Sequence, residues 1–167
     1  TNCTNGGAIA LNPYQATAKF TMNGGVIDAR NATVTNGGAI FNNASEVIIQ
    51  GNARILGTQN NITAGGAIWC HSNTGTKLTI GGYAQIIGGK ATTGASIYMH
   101  GGDPSVAGGP YQSGAELTIT GNATIAGRVD TLGGAVYVKA GKFTISGGTV
   151  DGGIVLQKGA DLTVSGA

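Results

Sequence analysis

Two short apolar patterns recur along the chain, always in the same order. The first is a Gly-Gly-Ala-Ile-like tetrad: Gly6-Gly7-Ala8-Ile9, Gly37-Gly38-Ala39-Ile40, Gly65-Gly66-Ala67-Ile68, Gly94-Ala95-Ser96-Ile97, Gly133-Gly134-Ala135-Val136 and Gly152-Gly153-Ile154-Val155. The second is a run with apolar residues at every other place: Phe20-Thr21-Met22, Val47-Ile48-Ile49, Leu78-Thr79-Ile80, Leu117-Thr118-Ile119, Phe143-Thr144-Ile145 and Leu162-Thr163-Val164. Period two belongs to strands with one buried face. A Gly-rich turn such as Gly24-Gly25 or Gly81-Gly82 usually follows, and then a third short apolar segment: Val26-Ile27, Ile55-Leu56, Ile86-Ile87, Thr124-Ile125, with Val150 a stub. Self-similarity at a spacing of about 19 to 39 residues marks a solenoid. Strand, turn, strand, turn, strand, turn predicts one coil of a three-sided parallel β-helix. The class is therefore all-β, with about six coils, almost no helix, and a single domain over residues 1–167. At an inter-strand spacing of about 4.8 Å, six coils make a rod on the order of 30 Å long.

In such a rod the same place in successive coils stacks, so each column of the alignment is a ladder. The residue before the second strand reads Lys19, Glu46, Lys77, Glu116, Lys142, Asp161, alternating in sign without exception. Opposite charges across a ladder contribute roughly 0.2–1 kcal/mol each, and like charges cost a similar amount. This column is expected to fix register and to define the two stacking ends.

Four places after the first glycine of each tetrad come Ala10, Phe41, Trp69, Tyr98, Tyr137 and Leu156. If Ile9, Ile40, Ile68, Ile97, Val136 and Val155 point inward, alternation sends this column outward. Phe41, Trp69, Tyr98 and Tyr137 would then form a strip over a lane of Ala8, Ala39, Ala67 and Ala135; with the alternation inverted, the rings are core. An outward strip either stacks on sugar rings or buries against another protein. Two places further run Asn12, Asn43, His71, His100, Lys139 and Lys158. The neighbours His71 and His100, with Cys70 and Asp103 nearby, lack a clear third inward-pointing metal ligand, so a polar column closing a turn is the expected reading. The column Thr21, Ile48, Thr79, Thr118, Thr144, Thr163 is broken at Ile48 and reads as an ordinary solvated strand face.

Composition narrows the field. Of 167 residues 32 are glycine, only 10% are charged and 41% are hydrophobic, too much regularly placed apolar content for a disordered linker. A formal charge of +2 with scattered Lys and Arg gives no phosphate-tracking patch, so no nucleic-acid partner is expected. No run of about 18 apolar residues suggests membrane insertion. Cys3 and Cys70 fall at different offsets two repeats apart and read as small buried thiols. Five Asn-x-Ser/Thr triplets (Asn2, Asn31, Asn43, Asn61, Asn122) could accept glycans in a eukaryotic secretory pathway, although several would arise by chance in so Asn- and Thr-rich a chain. Coil four carries a loop insertion over 101–114, expected to flank the aromatic strip, and Pro13-Tyr14-Gln15 echoes it in coil one.

The Gly-Gly-Ala-Ile tetrads, together with Phe20-Thr21-Met22-Asn23 as a Phe-x-x-Asn element, resemble the repeats of chlamydial polymorphic outer-membrane proteins. Gly133-Gly134-Ala135-Val136-Tyr137-Val138 followed by Phe143-Thr144-Ile145-Ser146-Gly147-Gly148 is equally similar to adhesin-like repeats of anaerobic Gram-positive bacteria. The resemblance covers nearly the whole chain, although Phe-x-x-Asn is clear only once. It implies a right-handed β-helix, placed outside the cell or at its surface, with an adhesive or structural role.

An enzyme on this scaffold would need clustered carboxylates. Asp28, Asp103, Asp130 and Asp151 are dispersed, and Glu46, Glu116 and Asp161 belong to the ladder, so no catalysis, metal or cofactor is expected. The expected function is structural: subunits stacking head to tail into a filament or surface fibre. The ladder begins with Lys19 and ends in Asp161, neither end of the sequence offers a helix or polar cap, and Thr1–Asn5 of one copy would complete the last coil of another. The alternative is a glycan- or host-binding adhesin segment cut from a longer solenoid, with glycans or other surface proteins as partners.

Overall fold

The computed structural model describes residues 4–11, 18–71, 75–101, 115–128 and 133–166. All of their regular structure is strand, with no helix among them. Three parallel sheets run the length of the solenoid. The first is β1 (Ile9–Leu11), β4 (Ile40–Asn42), β8 (Ile68–Cys70), β12 (Ile97–Met99), β15 (Val136–Val138) and β18 (Ile154–Leu156). The second is β2 (Lys19–Met22), β5 (Glu46–Ile49), β9 (Lys77–Ile80), β13 (Glu116–Ile119), β16 (Gly141–Ile145) and β19 (Ala160–Val164). The third holds five strands: β3 (Val26–Asp28), β6 (Arg54–Leu56), β10 (Gln85–Ile87), β14 (Thr124–Ala126) and β17 (Thr149–Asp151). Neighbours in each sheet are consecutive coils, as a parallel β-solenoid requires. The Val150 stub is a full three-residue strand.

The core is built from columns. Ile40, Ile68, Ile97 and Val136 of the first sheet, Val47, Leu78, Leu117 and Phe143 of the second, and Ile55, Ile86 and Ile125 of the third are all sealed from solvent. Each stacks on its counterpart one coil away: Ile40 on Ile68, Val47 on Leu78, Ile55 on Ile86. Stacking of apolar side chains coil upon coil explains why such short strands hold, since three residues alone make too few contacts to persist.

Of the four alanines expected to form a lane on the outer face, Ala8 alone is exposed. Ala39, Ala67 and Ala135 have no solvent exposure and belong to the core cluster. The reason is a bend: the amides of Ala39 and Ile40 both donate to Ala67 O, and those of Ala67 and Ile68 both donate to Ser96 O. Two donors on one carbonyl break the period of two, so alanine turns inward just before isoleucine does the same. The same signature corrects the alignment of coil six. Gly153 O receives the amides of Ala135 and Val136, and Ile154 pairs with Val136, Val155 with Tyr137 and Leu156 with Val138. Ile154 therefore takes the inward place assigned to Val155, and Val155 replaces Leu156 in the aromatic column.

A fourth, smaller element lies at the corner before the tetrads, where β7 (Ile62–Ala64) pairs with β11 (Ala91–Thr93). Bridges from Asn36 to Ala64 and from Asn5 to Asn36 continue the ladder into earlier coils. Thr4 and Asn5 are thus engaged in this corner, with Thr35 N donating to Thr4 O, and do not stand ready to complete a third sheet elsewhere. Residues 1–3, the echo at Pro13-Tyr14-Gln15 and residues 102–114 of the coil-four insertion lie outside the described residues.

Glycine is required where backbones close on one another. A Cβ on Gly66 would meet Ala95 O at 2.1 Å and Gly89 backbone at 2.8 Å, two groups joined to each other by the hydrogen bond from Gly89 N to Ala95 O. Gly24 has ordinary φ and nothing within 4 Å of the same position. Gly66→Ala is expected to cost about 1–3 kcal/mol or more through backbone displacement, whereas Gly24→Ala should be neutral or stabilise by about 0.4–1 kcal/mol through the unfolded chain. Urea unfolding of the two variants measures the contrast.

Candidate functional site

The outer faces of the first and second sheets carry the side chains singled out by sequence. On the second sheet the charge column is in register at every step: Lys19 opposite Glu46, Glu46 opposite Lys77, Lys77 opposite Glu116, Glu116 opposite Lys142, and Lys142 opposite Asp161. Two rungs close as ion pairs, Lys19–Glu46 at 3.0 Å and Lys77–Glu116 at 3.5 Å, with all four side chains about half exposed. Solvent screening limits each such pair to about 0–1 kcal/mol. The column's value is specificity of register: a slip of one coil along the axis would set like charges opposite each other.

On the first sheet Phe41, Trp69, Tyr98 and Tyr137 alternate with the sealed column and stand outside the core cluster. Phe41 is 7% exposed and the other three are half-buried. Two places on, and on the same face, lie Asn43, His71, His100, Lys139 and Gln157. Gln157 N donates to Val138 O as Lys139 N does to Met99 O, so Gln157 takes the place expected for Lys158. The rings of the two columns touch in a continuous zigzag. Phe41 packs on Trp69 at 5.0 Å, Trp69 meets His71 edge-on at 4.9 Å, and His71 stacks on His100 at 5.4 Å. His100 lies 6.2 Å from Tyr98, which stacks on Tyr137 at 5.3 Å and 20°. The sequence aligned both columns but gave no sign that they interlock, because ring orientation depends on rotamers rather than on spacing.

Two of these contacts are face to face, His71 on His100 and Tyr98 on Tyr137, whereas Phe41 and Trp69 are tilted by 49°. Lys139 Nζ lies 3.4 Å from His100 Nε2, and Asn43 Oδ1 lies 3.5 Å from His71 Nδ1. Burial lowers the His71 pKa below the usual imidazole value and raises that of Tyr98, to which the neighbouring Tyr137 adds. Trp69 Nε1 is buried without a hydrogen-bond partner.

Other candidates separate. Cys70 is buried in the core column beside Asn42, and burial pushes its thiol up to about 12 against a smaller opposing pull from the Asn42 side chain, so it is not a nucleophile. Cys3, Asp103 and Asp130 lie outside the described residues. Arg30 holds Asp28 with two side-chain hydrogen bonds and a backbone amide, keeping that carboxyl at about 2. Among the described residues no three His, Cys, Asp or Glu side chains gather as a metal site would need. The threonine column keeps its register across the second sheet and is interrupted by Ile48. No protein-family model, curated protein or solved structure matches this chain.

Trp69 is the single tryptophan of the chain, so its emission reports on the zigzag alone. Trp69→Leu removes two ring contacts, each worth about 0.5–1.5 kcal/mol. The variant is expected to unfold with a ΔG lower by about 1–3 kcal/mol, measured by urea denaturation with circular dichroism. Wild-type emission should be blue-shifted relative to free indole in water.

Proposed function

We propose that the chain is a non-catalytic structural solenoid, acting outside the cell or at its surface, whose copies stack head to tail into a filament or fibre. The observation that carries this reading is the charge ladder. It runs through all six strands of the second sheet and presents Lys19 on one outermost strand and Asp161 on the other. A copy laid with β2 against β19 continues the alternation and places Leu162 beside Phe20. The third sheet, with five strands, leaves one strand place open in such a stack, so the first two sheets carry the contact.

The aromatic and histidine zigzag favours a second reading, adhesion to a glycan or surface protein, because half-buried Trp and Tyr side chains suit contact surfaces. The His71–His100 and Tyr98–Tyr137 pairs each cover a ring face by stacking, which leaves less open face for a sugar. That geometry suits a lateral protein contact better than a glycan.

Electron microscopy of the purified chain tests the main proposal. Long fibres are expected, and Lys19→Glu should shorten or abolish them while leaving the circular dichroism spectrum intact, since the exposed pair it breaks contributes little to folding. Asp161→Lys added to Lys19→Glu should partly restore them. Monodisperse short rods from the wild-type chain would refute the reading.

A further inference from the structure

Three Asn-Gly dipeptides occur in the chain: Asn5-Gly6, Asn23-Gly24 and Asn36-Gly37. Such a pair is open to attack by the glycine nitrogen on the asparagine side-chain amide, because glycine brings no Cβ to shield that nitrogen. The structure separates the three. Gly6 N donates to Asn36 O at 3.1 Å and Gly37 N to Ala64 O at 3.0 Å, so both amides are held in the ladder at the corner before the first sheet. Each must leave its bond by local opening before it can attack. Among the described residues none accepts a hydrogen bond from Gly24 N, nothing lies within 4 Å of where a Cβ on Gly24 would stand, and Asn23 is exposed.

That free amide is a property of the corner between the second and third sheets, in whichever coil. The amides of Gln50, Gly81, Thr120 and Ser146 donate to Met22, Ile49, Ile80 and Ile119, which sets Gly51, Gly82, Gly121 and Gly147 in the place of Gly24. None of those glycine amides donates to a described residue either. The residues before them are Gln50, Gly81, Thr120 and Ser146, so coil one alone sets an asparagine beside this amide.

We propose that Asn23 converts spontaneously to aspartate and isoaspartate in the folded protein, assisted by Gln50. Gln50 Nε2 donates to Asn23 Oδ1 at 2.7 Å. Gly24 N loses its proton to water and bonds to Asn23 Cγ, and the carbonyl π-electrons move onto Oδ1, where the Gln50 donor meets the developing charge. The Cγ–Nδ2 bond then breaks, and Nδ2 takes up a proton and leaves as ammonia, giving a cyclic succinimide. Water opens that ring at either carbonyl carbon, to aspartate or to isoaspartate. The balance is a water consumed and an ammonia released, with no oxidant or reductant. Asn36 Nδ2 gives Asn5 Oδ1 a comparable bond at 3.2 Å, so the state of the glycine amide is what separates Asn23 from Asn5. The product puts a carboxylate four places beyond Lys19, where a neutral amide stood. The change belongs to the single chain, whether or not copies stack.

Trypsin cleavage after Lys19, Arg30 and Arg54 puts the three asparagines on separate peptides, Thr1–Lys19, Phe20–Arg30 and Asn31–Arg54, and Asn23 is the sole asparagine of its peptide. Mass spectrometry of protein kept folded at neutral pH should show the amide-to-acid shift growing on Phe20–Arg30 and absent from Asn5 and Asn36. Protein kept in urea should show it at all three. Gly24→Ala should remove most of the reaction at Asn23 and leave the circular dichroism spectrum unchanged. Gln50→Met keeps an unbranched side chain without a donor; it should slow the folded reaction several-fold and leave the rate in urea as it was. Folded protein in which Asn5 or Asn36 reacts as fast as Asn23, or in which Asn23 stays an amide while the urea sample converts, would overturn the proposal. An unchanged folded rate in Gln50→Met would overturn the part given to Gln50.

Discussion

The parallel backbone ladder, held in register from coil to coil, is the constraint on which the rest of this molecule depends. It sets every side chain beside its counterpart about 4.8 Å away, so like must tolerate like through the whole stack. Aliphatic columns meet that demand at once, and the sealed rows of isoleucine and leucine are the result. Charges meet it only by alternating, as Lys19 to Asp161 do. Aromatic rings meet it by stacking, and glycine appears where backbone itself is the neighbour, as at Gly66.

The same constraint decides which surfaces can carry function. A column is a repeated chemical statement, so a β-solenoid offers stripes more readily than pockets. Here one stripe is ionic and self-complementary along the axis, and the other is a zigzag of touching rings. Neither gathers carboxylates or nucleophiles around a point. The first gives a reason for coils to add to coils in one register, and the second packs two histidines among the rings of the outer face.

Much of this was legible in the chain. The inward columns and the charge ladder could be aligned from the sequence because apolar periodicity and sign alternation are properties of residue identity. Coil six was misread by one place because Gly152-Gly153-Ile154-Val155 fits either of two registers, and only the amides of Ala135 and Val136 on Gly153 O choose between them. The inward turn of Ala39 and Ala67 was hidden for a related reason: a shared carbonyl bends the strand without changing the residue pattern. The corner strands Ile62–Ala64 and Ala91–Thr93 were missed because their mix of Thr, Ala and a single Ile looks like loop, and they exist through pairing with each other. The lock between His71 and His100 was visible as adjacency and no more, since stacking is settled by side-chain torsions.

The central claim is that the ladder which orders the coils also orders the copies. Disulfide trapping measures this most directly, using Lys19→Cys and Asp161→Cys together in a chain whose Cys3 and Cys70 are replaced by serine. In a head-to-tail stack these positions become neighbours across one rung, within the Cα separation of about 4.4–6.8 Å that a disulfide needs. Mild oxidation should give a reducible series of dimers, trimers and longer species, while Thr21→Cys paired with Asp161→Cys, two residues out of register and on the same face, should give few. A product that stays monomeric, or equal yields from the two pairs, would contradict the account.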